Sequence, residues 1–168
     1  MNQKQGSVPM NLNGDGIRVG VVQARFNEEI TNGLWLACQG ELQRLGVLDE
    51  DILHVLVPGA LELPVALLRL AESDEFDVLV ALGCVIKGDT YHFEIVSNES
   101  ARGVATVALE HGLPIVNMVL TTYTEDQAIE RIEEKGVDAA RSAVEMGNLM
   151  ITLDDNLPGF LDEVEGDE

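Results

Sequence analysis

Basic residues are scarce in this chain. Ten Lys and Arg stand against 30 Asp and Glu, giving a formal net charge of −20 and a pI near 4.2. A protein that grips nucleic acid by its phosphates needs a basic surface, so that class of partner is excluded. Long apolar runs are missing too. None reaches the ~18 residues that a membrane span requires. The amino terminus has a single lysine and no apolar core, so it does not read as a secretory signal. There are only two cysteines, Cys38 and Cys84, both in apolar segments without metal-ligand spacing. They read as reduced, buried thiols in a cytoplasmic protein. Several nucleotide and hydrolase templates are absent as well. No GxGxxG follows the first expected strand, and no Walker A pattern, nucleophile elbow or HExxH occurs.

The chain does have enough apolar residues for a full core: 46% of its 168 residues. That suits one folded domain and argues against disorder. Residues 1–16 are polar and interrupted by Gly6, Pro9, Gly14 and Gly16, so they read as a flexible arm. Residues 154–168 carry seven acids and no base and read as a solvated acidic tail. Between them, residues 17–153 form the expected domain.

Within that domain, β-branched apolar runs predict strands over 17–24, 52–57, 78–86 and 115–121. Helical periodicity predicts helices between and after them. Asn27 is placed to cap the first, which runs to a stop at Gly46. Pro64 fits the first turn of the second, to about residue 72. The third spans 92–111, with Gly112 behind it. Thr124 and Gln127 have capping-box spacing for a fourth, ended by Gly136. A last helix is expected over 138–151. Such β-α alternation implies an α/β fold, a parallel sheet covered on both faces with right-handed crossovers.

Three strand ends then meet at one sheet edge, where open α/β sheets bind ligands. The first carries Phe26, whose ring can stack on a planar heterocycle. The second carries Ala60, Leu61 and Glu62, with a carboxylate able to accept from hydroxyls. The third carries Lys87, Gly88, Asp89, Thr90 and His92 at a helix start. Backbone N–H groups there suit an anion, and an imidazole can move protons near neutral pH. Each residue has a plainer reading on its own. Phe26 can staple a helix, Glu62 can be a solvated first-turn acid, and Arg131 can pair with Glu130 or Glu134. Lys87 has the chemistry of a Schiff-base lysine, but nothing beside it in sequence marks it as activated. His54 and His111 show no catalytic partner and read as structural.

Taken together, the motifs are specific. ARFN (24–27), VPGALELP (57–64), ALGCVIKGDTYHFE (81–94), NESARG (98–103), VLTT (119–122), QAIER (127–131) and AVEM (143–146) occur in order. Over about 17–149 the chain resembles the 6,7-dimethyl-8-ribityllumazine synthase family of riboflavin biosynthesis. The resemblance implies a flavodoxin-like three-layer α-β-α sandwich with a four-stranded parallel sheet. It implies a transferase that condenses 5-amino-6-(D-ribitylamino)uracil with 3,4-dihydroxy-2-butanone 4-phosphate, without metal or organic cofactor. The imine nitrogen comes from the substrate, so no catalytic lysine is needed.

By that resemblance, Phe26 stacks on the pyrimidine, Ala60, Leu61 and Glu62 hold the ribityl chain, and Cys84, Val85 and Ile86 offer backbone contacts. Asp89 and Thr90 hold the ketone phosphate, and His92 transfers protons. Arg131 binds phosphate and Asn117 contacts the pyrimidine, both from a neighbouring subunit. A homopentamer follows, open to a decamer or a sixty-subunit capsid, with riboflavin synthase as a further partner. Two departures stand out. Asn117 occupies a position where some members have phenylalanine, and the segment 131–136 is shorter than the glycine-rich connection of many members. A shell protein without activity and a lumazine binder without catalysis are the rival readings.

Overall fold

The computed structural model describes residues 6–157. Four strands, β1 (Val19–Ala24), β2 (Ile52–Val57), β3 (Val78–Ile86) and β4 (Ile115–Thr122), form one all-parallel sheet in the order β2-β1-β3-β4. The helices are α1 (Glu28–Arg44), α2 (Leu63–Glu72), α3 (His92–His111), α4 (Glu125–Ile129) and α5 (Ile132–Asn156). This is the expected α/β sandwich.

Strand alternation builds two cores. Val19 and Val21 of β1, with Val78, Val80 and Leu82 of β3, face Ile30, Leu34, Cys38 and Leu42 of α1 and Ala139, Ala140, Ala143 and Val144 of α5. Val22 and Ala24, with Leu79 and Ala81, face Leu63 and Leu67 of α2 and Val104 and Val107 of α3. β1 and β3 are buried along nearly their whole length, which is why they read as continuous apolar runs. Burial pushes the Cys38 thiol up to about 12. It pushes Cys84 up to about 11, helped by the Glu125 charge, and both thiols are free.

The helix boundaries bring two corrections. The fourth helix does not run to Gly136. α4 closes at Ile129 after the expected Thr124–Gln127 capping box, and α5 begins at Ile132 and passes straight through Gly136. The segment 131–136 is therefore the first turn of α5 and not a connection. Gly136 is there because α5 presses on α1: an added Cβ would stand 2.6 Å from Ala37 Cβ and 2.8 Å from the Leu34 carbonyl oxygen. The second correction is Asn27. It precedes α1 as expected, but its side chain makes no capping bond.

Both ends of the domain are tied to the body. The Asn148 side-chain amide donates to the carbonyls of Asn11 and Asn13, each at 2.9 Å. The Gly14 N–H donates to the Leu45 carbonyl at 2.8 Å. α5 runs on to Asn156, three residues into the acidic segment. The rest of that segment, 158–168, and residues 1–5 of the arm lie outside the described residues.

A polar cluster sits under β2. Gln23, fully buried, donates to Thr31 Oγ1 (3.2 Å) and Asn32 Oδ1 (2.7 Å) and lies 2.8 Å from His54 Nε2. The His54 ring stacks on Trp35 with centroids 3.9 Å apart. Burial holds His54 below the usual imidazole range.

Candidate active site

The sheet opens where its strand order reverses, between β1 and β3. Past Ala24 the chain leans toward β2: the Arg25 N–H donates to the Val57 carbonyl (2.8 Å) and the Phe26 N–H to the Pro58 carbonyl (3.1 Å). β3 instead continues beside β4, and the Lys87 N–H donates to the Thr122 carbonyl at 2.9 Å. The two inner strands therefore part at their carboxyl ends. The crevice between them has a volume of about 600 Å³. A switch point of this kind is the usual ligand position in open α/β sheets.

Nine of the expected site residues line it: Phe26, Ala60, Leu61, Glu62, Cys84, Val85, Ile86, Thr90 and His92. Each is placed by its element. Phe26 follows β1 as a residue 71% exposed at the crevice, where its ring is available to a ligand. Ala60, Leu61 and Glu62 form a tight 3-10 turn before α2, ahead of Pro64. Cys84, Val85 and Ile86 are the last residues of β3 and form the floor. His92 opens α3 at the rim.

Three expected residues are not in the crevice of this chain. Asp89 is exposed on the loop beside it. Asn117 lies on β4, in register with Ala81, and its side-chain oxygen accepts from the Val119 N–H at 3.0 Å. Arg131 stands at the start of α5, and its Nη1 donates to the Gln127 carbonyl at 2.8 Å. Arg131 is exposed, as its plainer reading has it, but among the described residues it makes no ion pair with Glu130 or Glu134. Lys87 also stays outside, its ammonium 5.5 Å from the centre of the Tyr123 ring.

Sequence reasoning missed Phe93 and Val96, which supply apolar wall from α3. The signal was available: Val96 is one helical turn beyond His92 and falls on the same face. It also missed the long reach of Asn27, whose Nδ2 donates to the Cys84 carbonyl at 2.9 Å. Among the described residues, no cluster of His, Cys, Asp or Glu could hold a metal, and no helix is long and apolar enough to cross a membrane.

An apolar floor, an open aromatic face, one carboxylate and one imidazole at a switch point define a small-molecule enzyme of the α/β class. Comparison with known proteins narrows it. The family profile of 6,7-dimethyl-8-ribityllumazine synthase matches residues 16–151, and the chain belongs to that family. A protein of that name from Paraburkholderia phymatum is 56% identical over 163 residues, covering 97% of this chain and 90% of its own. Proteins of that name from Burkholderia mallei and Burkholderia pseudomallei are each 62% identical over 149 residues, covering 89% of this chain and 86% of theirs.

Proposed function

We propose that this chain condenses 5-amino-6-(D-ribitylamino)uracil with 3,4-dihydroxy-2-butanone 4-phosphate to give 6,7-dimethyl-8-ribityllumazine, phosphate and water. The observation that carries the reading is the convergence of Phe26, Glu62 and His92 on one crevice of about 600 Å³. Phe26 stacks on the pyrimidine. Glu62 accepts hydrogen bonds from the ribityl hydroxyls, and the β3 floor offers backbone groups to the ring edge. The substrate's own amine attacks the ketone to form an imine. Water leaves as the imine forms, His92 moves the protons that allow loss of phosphate and tautomerisation to a carbonyl, and the ribitylamino nitrogen then attacks that carbonyl and closes the second ring with loss of a second water. Asp89 and Thr90 hold the ketone phosphate from the loop before α3.

Among the described residues no Lys or Arg lines the crevice to meet that phosphate, and Arg131 lies outside it. A neighbouring copy that brings Arg131 and Asn117 to the mouth completes the site, in a homopentamer. Apolar surface supports such an assembly: Leu53 and Leu56 on β2, Val65 on α2 and Leu109 on α3 are all exposed, Leu109 at 85%. Growth of pentamers into a decamer or capsid, action in the cytoplasm and association with riboflavin synthase belong to the same reading and rest on family membership.

The test is direct. Purified protein is mixed with the two substrates while lumazine absorbance and free phosphate are followed. Both should rise together. Lumazine bound tightly but never formed would make the protein a binder, and neither binding nor turnover would leave a shell.

A further inference from the structure

Asn27 sits between the Phe26 platform and α1 in the left-handed conformation, at φ 59° and ψ 50°. Few residues other than glycine adopt it, and asparagine is among those that do. Its backbone carbonyl accepts from the Ile30 and Thr31 N–H groups at the helix start, both at 3.0 Å, while its side chain turns away from the helix. The reason lies in the register. β1 and β3 are paired from Val19↔Val78 to Gln23↔Leu82, and the pairing stops there. β3 then runs four residues further with β4 alone. The Cys84 carbonyl stands on the edge that β1 has left, and the Asn27 amide takes up the bond at 2.9 Å that the strand no longer makes.

We infer that Asn27 is a positioning residue for this reaction. Its tie to Cys84 sets the width of the crevice and holds the Phe26 ring at a fixed height above the β3 floor, so it governs binding of the flat pyrimidine substrate. It acts through Phe26 and Cys84, not by contact with the reacting atoms. The inference rests on the lumazine-forming reading of the crevice.

Two variants test it. Asn27→Gly keeps the left-handed backbone without steric cost and removes the amide. Asn27→Asp keeps the shape but sets an acceptor against the Cys84 carbonyl, where a donor is needed. Loss of one such bond predicts a KM for the pyrimidine raised about 5–10-fold in Asn27→Gly, and more in Asn27→Asp. The KM for the ketone phosphate should stay unchanged. The induced circular dichroism of bound 6,7-dimethyl-8-ribityllumazine, which reports the ring held in the chiral site, should fall in both. A wild-type KM for the pyrimidine, equal weakening of both substrates, or failure of both variants to fold would overturn the inference. The wild-type protein run alongside separates the two failures. No lumazine from it sinks the functional reading, whereas an active wild type with unaltered variants sinks only the role of Asn27.

Discussion

Gly136 of α5 faces Ala37 of α1 at a distance that leaves no room for a side chain: an added Cβ would meet the Ala37 Cβ at 2.6 Å. Gly136→Ala gains helix propensity, worth up to about 1 kcal/mol. It also forces two packed helices apart, and overpacking of this kind costs about 1–3 kcal/mol. The second effect wins because the obstacles are a Cβ and the Leu34 carbonyl, neither of which can swing aside. We expect a lower thermal midpoint for Gly136→Ala by calorimetry. A midpoint equal to or above wild type would show that the helices are less tightly fixed.

His54 sets a pH dependence. Burial lowers its folded value below that of the unfolded chain, so the folded state prefers the neutral ring. The groups around it are the Trp35 ring and the Gln23 amide, neither of them charged. Stability from this group is complete above the unfolded value, ~6.5, and is lost as pH falls through the lower folded one. His54→Gln should flatten the fall in thermal midpoint between about pH 6.5 and 5. An unchanged slope in that variant would place the acid sensitivity elsewhere.

His92→Ala is expected to slow lumazine formation by about 10²-fold, the low end for general acid–base help, because parts of the condensation need no enzymatic proton transfer. Steady-state kinetics on protein with a wild-type circular dichroism spectrum is the check. Wild-type turnover would remove His92 from the mechanism.

Arg131→Ala should weaken the ketone phosphate far more than the pyrimidine, since a guanidinium fork matches two phosphate oxygens. A shared site makes a sharper forecast. Arg131→Ala and His92→Ala subunits, unfolded and reassembled together, should regain activity that neither has alone. A contact in which the Arg131→Ala subunit supplies His92 and the His92→Ala neighbour supplies Arg131 is then complete, while the reverse contact lacks both. Mixtures no more active than their components would refute a site built between copies.

The ranges 52–57, 78–86 and 92–111 read from sequence agree residue for residue with β2, β3 and α3. Apolar runs and a left-handed Gly112 after α3 are local signals, so they survive folding unchanged. Gly136 and Asn27 were misread for one physical reason. A glycine in a helical pattern serves either termination or close approach, and an asparagine before a helix bonds either the helix or a distant chain. The partner decides, and the partners, Ala37 and Cys84, are far away in sequence. The crevice residues were legible because they sit at strand ends. Asn117 and Arg131 lie outside it, where the resemblance puts them, as residues offered to a neighbouring copy; the place of Asp89 beside the crevice was not legible, because it depends on how the loop before α3 settles.

The strand order also bears on how the chain is made. β1 is translated first of the four strands, yet it is an inner strand flanked by β2 and β3, and α1, which packs on β1 and β3, finds its helical neighbour in α5, the last helix among the described residues. Vectorial synthesis therefore delivers the centre of the domain long before its neighbours exist. Part of the apolar face of α1 therefore stays uncovered until residues 132–156 have emerged, so emergence of α5, rather than of any strand, is the step that closes this side of the sheet.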